Sequence, residues 1–161
     1  MKSLRETIRH LIREEMGYID EHPFFEAIRK YVDEADGDYD SAFIALRHPD
    51  GCSTEAYIGI DEDPAGIWID KIEVVNSSRE LDKDCFRKGY AKQMLEALTK
   101  AADETGTHLA LIAASEAYYK RMYPEIDLPG KDELALLYTQ YGFVETSRNF
   151  AQVHMHRSPV A

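Results

Sequence analysis

The chain has 161 residues, the length of one domain, with 44% hydrophobic and 30% charged residues, as in ordinary soluble globular proteins. A formal net charge of -11 argues against nucleic acid or an anionic membrane surface as a partner, because both need a basic footprint. No apolar run approaches the roughly 20 residues of a membrane span, and the N-terminal segment is too charged for a secretory signal, so we expect a cytoplasmic location.

The first segment is predicted to be helical. Ser3-Leu4-Arg5-Glu6 has the form of a capping box, and the apolar spacing that follows predicts a helix to about Met16 with Gly17 as its stop. A second helix is predicted to start near Pro23 and to end at Gly37. Its expected buried residues are Phe24, Phe25, Ile28, Tyr31 and Val32.

Three strands are predicted next. Residues 41–47 are β-like, the sequence HPDG at 48–51 indicates a turn, and residues 54–60 are expected to return as a hairpin. After a second turn at 61–66, residues 67–75 alternate apolar and polar side chains with β-branched enrichment, which is typical of a strand. Together these segments predict an antiparallel meander.

The pattern then changes to that of a crossover unit. Residues 76–88 are polar and loop-like, and a helix is predicted from Gly89 to about Glu104, with Gly106 as its stop. Residues 109–114 are almost continuously apolar, as in a strand buried on both faces. Strand, helix and buried strand in this order predict a parallel pair.

The last third is predicted to close the fold. Residues 116–130 are rich in tyrosine and interrupted by two prolines, which indicates a short helix and an irregular lid. A final helix is expected over 131–141, followed by strands at 143–146 and 150–156 with a turn at 147–149. The prediction is one mixed α/β (α+β) domain over 1–161, with residues 1–37 as a two-helix N-terminal portion.

The cysteines and histidines offer little chemistry by spacing alone. Cys52 and Cys85 form no C-x-x-C pair and suggest no disulfide framework. His154 and His156 share one strand face, but two histidines alone make a poor metal site, so no metal is expected.

The segment Phe86-Arg87-Lys88-Gly89-Tyr90-Ala91 carries the most specific pattern. A glycine opens a helix directly after a strand and loop, and two cations stand just before it. Free amides at a helix N-terminus bind phosphate, and adjacent cations add local positive potential. The alternative is an ordinary loop-to-helix junction with two solvated basic residues.

Here the chain resembles the GCN5-related N-acetyltransferases, the GNAT superfamily. That family has the signature Gln/Arg-x-x-Gly-x-Gly/Ala after a strand of the type Leu-x-Val, matched by residues 86–91 after Ile72-Glu73-Val74. Residues 135–143, ALLYTQYGF, match the pattern of the family's final helix. The resemblance covers roughly residues 40–157 and implies a mostly antiparallel sheet with one parallel crossover and helices on both faces.

The resemblance implies acetyl transfer from acetyl-CoA, the co-substrate, to a primary amine of a small molecule, a peptide N-terminus or a lysine. It places pyrophosphate on the amides of residues 87–91, with Phe86 at the first signature position. It places the pantetheine arm on the main chain of Ile72 and Val74, and Ser115 stands where the family often has asparagine. Tyr138 matches the family's usual acid.

The base stays open between Glu73 and Asp70, which strict strand alternation puts on opposite faces unless a bulge intervenes. Departures from the family are Phe86 at the position of Gln or Arg, a long loop before Cys85 and a long segment between Ser115 and Tyr138. These departures support an alternative, a GNAT-fold binding or structural module without catalysis. The sequence does not decide between a monomer and a homodimer.

Overall fold

The computed structural model describes residues 3–7, 19–62, 65–114 and 117–161. In these ranges one seven-stranded sheet has the order β1-β2-β3-β4-β5-β7-β6. Its strands are β1 (Glu34–Gly37), β2 (Ser41–Arg47), β3 (Ser53–Glu62), β4 (Ala65–Val75), β5 (His108–Ala114), β6 (Val144–Arg148) and β7 (Gln152–Arg157). The helices are α1, described over residues 4–7, α2 (Pro23–Ile28), α3 (Tyr90–Thr105), α4 (Ala117–Met122) and α5 (Lys131–Thr139).

The predicted capping box at the first helix is confirmed. The Ser3 amide donates to a Glu6 carboxylate oxygen at 3.0 Å, and the Glu6 amide donates to the Ser3 hydroxyl at 3.2 Å. The predicted continuation to Met16 and the stop at Gly17 lie outside the described residues.

The prediction that the second helix runs to Gly37 is wrong. Helix α2 ends at Ile28, and Glu34–Gly37 forms the edge strand β1, which pairs antiparallel with β2. The Arg47 amide donates to the Asp33 carboxylate at 2.7 Å, which fixes the start of the pairing. Long-range strand pairing outweighs the weak helical preference of the polar sequence EADG, and no local pattern signals it.

The meander and the crossover are confirmed. Strands β2, β3 and β4 pair antiparallel, and β4 pairs parallel with β5 after the long helix α3. Helix α3 ends at Gly106, whose φ of 64° is left-handed as a glycine stop requires. Gly66 lies at the start of the parallel pair, where a Cβ atom would stand 2.3 Å from the His108 carbonyl oxygen. Only glycine permits this close approach, so Gly66 belongs to the strand rather than to the predicted turn.

The core lies on one face of the sheet. Helices α2 and α3 bury Phe24, Phe25, Leu95 and Leu98 against inward-facing strand residues such as Ile58. Helix α5 adds Ala135 to the same cluster. Because side chains alternate along a strand, the neighbours of the inward residues face the opposite side of the sheet. The two faces of the sheet therefore carry different side chains.

The closing strands are shifted relative to prediction. Strand β6 runs to Arg148, so the turn lies at 149–151, where the Asn149 side chain accepts hydrogen bonds from the amides of Ala151 and Gln152 at 2.8 and 2.9 Å. Helix α5 ends at Thr139, two residues before the predicted end. Among the described helices, none is both long and apolar enough to cross a membrane.

The expectation of no disulfide is wrong. Cys52 and Cys85 are joined, with Cα atoms 5.8 Å apart, across 33 residues of sequence. The cause is the antiparallel pairing of β3 with β4, which sets Ser53 opposite Val75. The start of β3 therefore lies beside the loop that leaves β4, and sequence spacing alone does not reveal that proximity.

Candidate active site

Strands β4 and β5 separate partway along their length. Their parallel pairing joins residues 66–69 of β4 to residues 108–111 of β5, whereas β4 continues to Val75 beside β3. In the described part of the sheet, residues 70–75 of β4 are thus paired along one edge alone. This segment contains the predicted Ile72 and Val74, and such an edge can pair with an extended ligand.

A β-bulge lies where the two strands separate. Ile69 pairs with Ile58 and Lys71 pairs with Tyr57, so Asp70 has no cross-strand partner. Because of the bulge, side chains do not alternate strictly between Asp70 and Glu73. Alternation alone therefore cannot assign the two carboxylates to opposite faces of the sheet. After the bulge, Lys71 and Glu73 share the face opposite the core; Glu73 is half-buried and Asp70 is exposed.

Glu73 belongs to a cluster that links β4 to helix α4. The Lys71 ammonium lies 2.8 Å from a Glu73 carboxylate oxygen and donates to the Tyr119 hydroxyl at 3.1 Å. Burial alone would lower the pKa of Lys71, but the hydrogen bonds with Glu73 and Tyr119 outweigh it and raise the pKa above its usual value. Lys71 is therefore a fixed cation beside the candidate base, and sequence reasoning missed it.

A second carboxylate lies next to Glu73 across the sheet. Glu55 pairs with Glu73 in the β3–β4 register and is only 3% exposed. Arg79, from the loop after β4, binds Glu55 through two hydrogen bonds of 3.0 and 2.8 Å. Like charges side by side in a sheet are destabilising, so each carboxylate has its own cation.

The segment before α3 has the backbone shape of an anion-binding loop. Arg87 has a φ of 60° and Gly89 a φ of 77°, both left-handed, and successive amides in such a turn form a concave nest. Gly89 caps α3 without a side-chain hydrogen bond, and nothing lies within 4 Å of the position a Cβ atom would take there. Open space therefore surrounds Gly89 on its Cβ side, where α3 begins.

The amide of Phe86 is already engaged. It donates to the Lys83 carbonyl at 3.3 Å and closes a short 3₁₀ turn over Lys83–Cys85. The amide of Phe86, at the first signature position, therefore points into the preceding loop. The free amides of the segment begin at Arg87.

Both predicted loop cations are paired with acids distant in sequence. The Lys88 ammonium donates to Asp50 at 2.8 Å, and the Arg87 guanidinium donates to Asp127. These partners stand 38 and 40 residues away, and no local pattern points to them. The local positive potential expected from the sequence is thus offset by carboxylates.

Tyr138 lies on the other side of the sheet from Glu73. It packs against the core cluster, with its ring centroid 6.0 Å from that of Phe143. Burial raises the pKa of the Tyr138 phenol to about 12. The phenol therefore stays protonated at neutral pH, as a proton donor must. The structure does not bring Tyr138 into contact with Glu73.

Ser115 and the two histidines of β7 are the remaining residues singled out from the sequence. Ser115 lies outside the described residues, directly after the end of β5. His154 and His156 are half-buried on β7, and His156 stacks on His108 with centroids 5.2 Å apart. In the described ranges, no group of three or more potential ligand side chains is placed to hold a metal ion.

Comparison with known proteins finds likeness in solved structures alone. No family model matches the chain, and no curated protein matches it. A Klebsiella pneumoniae protein provisionally described as an acyl-CoA N-acyltransferase is 15% identical, with a TM-score of 0.48 over 75% of this chain and 74% of that chain.

Two further solved structures are similar at lower scores. PH1933 from Pyrococcus horikoshii is 14% identical, with a TM-score of 0.43 over 70% of this chain and 67% of its own. A GNAT family acetyltransferase from Listeria monocytogenes is 14% identical, with a TM-score of 0.39 over 76% of this chain and 59% of its own. Such values carry no information on substrate or activity. The mixed, mostly antiparallel sheet with one parallel pair, which the GNAT resemblance implies, is confirmed by the strand order itself.

Proposed function

We propose that this chain is an N-acetyltransferase that moves an acetyl group from acetyl-CoA to a primary amine. The observation that carries the proposal is the juxtaposition of two features. The one-sided edge of β4 over residues 70–75 leads through a single loop to the open N-terminus of α3. The free edge of β4 can pair with an extended polar chain, and the N-terminus of α3 can bind phosphate.

The residues present fit a CoA thioester. The amides from Arg87 to Ala91 would hold the pyrophosphate, with the dipole of α3 behind them. The main chain of Ile72 and Val74 would pair with the pantetheine arm, as an added strand would. When bound, the thioester supplies an activated acetyl carbonyl. Phe86 contributes no free amide, which narrows the predicted cofactor contacts to residues 87–91.

The transfer step needs one base and one acid. The amine nitrogen attacks the thioester carbonyl carbon, so a C–N bond forms and the C–S bond breaks. A thioester seated where β4 and β5 separate would be reached from both faces of the sheet. Glu73 takes the proton from the amine on one face, directly or through water, and Tyr138 donates a proton to the departing thiolate from the other. We favour Glu73 over Asp70 because Glu73 is half-buried and held by Lys71 at 2.8 Å, whereas Asp70 is exposed in the bulge.

The first test is binding. Acetyl-CoA should raise the melting temperature of the protein, because a ligand that binds only the native state stabilises it by mass action. S-acetylpantetheine, which has the thioester but no phosphates, is the matched ligand control and should give a smaller shift. Absence of a shift with both acetyl-CoA and CoA would refute the proposal.

The placement of Tyr138 and Glu73 on opposite sides of the sheet favours a second candidate, a CoA-binding module without catalysis. Thiol release from acetyl-CoA in the presence of a panel of primary amines distinguishes the two. Release that depends on an amine supports the enzyme. Binding without release for every amine in the panel supports the module.

A further inference from the structure

The turn between β2 and β3, residues 48–52, is attached to the segment 85–90 at several points. The disulfide joins Cys52 directly to Cys85, the residue before Phe86. Both cysteines are buried, at 5% and 2% exposure. The turn has its own tight geometry, since the His48 amide donates to the Cys52 carbonyl at 2.9 Å. A rigid turn is thus covalently bound to the loop that precedes α3.

Asp50 makes the polar part of this attachment. One carboxylate oxygen accepts from the Lys88 ammonium at 2.8 Å and from the Tyr90 hydroxyl at 2.7 Å. The other accepts from the Cys52 amide at 3.0 Å. The hydrogen bonds from Lys88, Tyr90 and Cys52 hold the pKa of Asp50 well below its usual range. Asp50 therefore stays charged and fixes two side chains on either side of Gly89.

His48 and Thr54 complete the attachment from the inner side. The His48 ring stacks on Tyr90 with centroids 3.6 Å apart and planes 5° from parallel. Its Nε2 atom lies 2.8 Å from the Thr54 hydroxyl, which donates to the Tyr90 carbonyl at 3.1 Å. Tyr90 is the first residue of α3, so the turn fixes the direction from which the helix starts.

We propose that the 48–52 turn positions the 86–89 loop for phosphate, with Asp50 as the positioning residue, and that the Cys52–Cys85 disulfide makes the affinity for CoA depend on oxidation. This inference rests on the proposed function, since CoA supplies the phosphates. Asp50 does not touch the ligand itself. It acts through Lys88 and Tyr90, whose positions determine where the amides from Arg87 onward point.

A competing role for Asp50 predicts a change in CoA affinity of the opposite sign. A carboxylate that merely competes with phosphate for Lys88 would weaken CoA binding, and its removal would strengthen binding. A positioning carboxylate strengthens binding, and its removal weakens it. The sign of one measured change therefore decides the role.

The test compares Asp50→Asn with the wild type by isothermal titration with acetyl-CoA and with S-acetylpantetheine. The expected result is about tenfold weaker binding of acetyl-CoA, the scale of one charge-assisted interaction, and unchanged binding of S-acetylpantetheine. Asp38→Asn, in the exposed turn between β1 and β2, is the matched control and should bind both ligands as the wild type does. Unchanged or tighter acetyl-CoA binding would overturn the inference, as would an equal loss for both ligands.

The redox arm uses the same titration before and after treatment with a phosphine reductant. Cys52 and Cys85 take up two electrons and two protons as the disulfide becomes two thiols. The phosphine is oxidised to its oxide, and one water molecule supplies the oxygen and both protons. Acetyl-CoA should bind several-fold more weakly to the reduced wild type. Cys52→Ser should show the weaker value under both conditions, which removes any direct effect of the reductant.

Equal affinity in oxidised and reduced wild type would refute the redox part while CoA binding itself stands. Absence of acetyl-CoA binding to the oxidised wild type would overturn the proposed function and this inference together. Circular dichroism on each sample checks that reduction and substitution leave the protein folded.

Discussion

The two segments that flank the α3–β5 unit are held in place by different means. Before α3, the 48–52 turn and the 85–90 segment are joined by a disulfide, a stacked ring pair and a carboxylate that binds two partners. After β5, the segment 117–130 is attached through the Tyr119–Lys71 hydrogen bond and an exposed ion pair of Asp127 with Arg87. The segment before α3 is thus cross-linked covalently, whereas the segment 117–130 is held by noncovalent contacts, which include the burial of Ile126. The cross-linked segment 85–90 should therefore be locally more stable than the segment 117–130.

The largest expected effect concerns the cross-linked side. Cys52→Ser should lower the free energy of unfolding by roughly 3 to 4 kcal/mol, because the disulfide closes a loop of 33 residues in the unfolded chain. Denaturant unfolding without reductant measures the change. In reductant the variant and the wild type should unfold alike. Equal stability without reductant would show that the disulfide contributes little.

Tyr138→Phe should lower kcat by about a hundredfold, the lower end for loss of a general acid, and leave CoA affinity unchanged. Tyr141→Phe, near the end of the same helix, is the matched control. Burial raises the pKa of Tyr138 to about 12, so the phenol keeps its proton below that pH, and the rate should show no loss from Tyr138 near pH 10. Equal losses in the two variants would remove Tyr138 from the acid role.

Arg79→Met should lower the free energy of unfolding, by less than Cys52→Ser does, because buried Glu55 would lose its ion pair beside the like charge of Glu73. Most of the loss should be recovered when Glu55→Gln is added, since the unpaired charge is then gone. Thermal and denaturant unfolding of the single and double variants measure the coupling. An additive loss would mean that the two residues act independently.

Glu73→Gln should reduce turnover by on the order of tenfold, below the usual range for a general base because water can relay the proton. Asp70→Asn, in the bulge, should leave turnover close to that of the wild type. Steady-state thiol release measures both. A larger loss for Asp70→Asn would transfer the base role to the bulge.

The smallest effect should come from the loosely attached side. Asp127→Asn removes an exposed ion pair whose side chains are 67% and 84% exposed, and should change stability by less than about 0.5 kcal/mol. Denaturant unfolding at low and high salt measures it. A loss comparable to that of Cys52→Ser would erase the contrast between the two segments.

Local patterns predicted much of the fold. Alternation in residues 67–75 and the apolar run 109–114 correctly placed β4 and β5, and Gly89 and Gly106 bracket α3 as expected. These predictions are correct because each pattern depends only on residues that are neighbours in the sequence. Strand β1 was missed because it forms only by pairing with β2, and its sequence EADG has no strand signal of its own.

The candidate site likewise combines features that follow from local sequence with features that depend on the fold. The 86–91 segment was predicted from its own residues, and its left-handed Arg87 and Gly89 agree with an anion-binding turn. Its partners Asp50 and Asp127 and the cysteine bond were not predicted, because all join residues at least 33 apart. The bulge at Asp70 was weighed beforehand, but only the β3–β4 register could place it.

What the sequence by itself determined is the order and type of the central elements and the place of Gly89 at the start of α3. Periodicity, glycine positions and capping residues act over a few residues and can be interpreted without a fold. Tertiary structure decided which charges meet, which face Glu73 occupies and that Cys52 reaches Cys85. Those outcomes depend on strand register, where a shift of one residue reverses every side chain, and register follows from packing of the whole sheet.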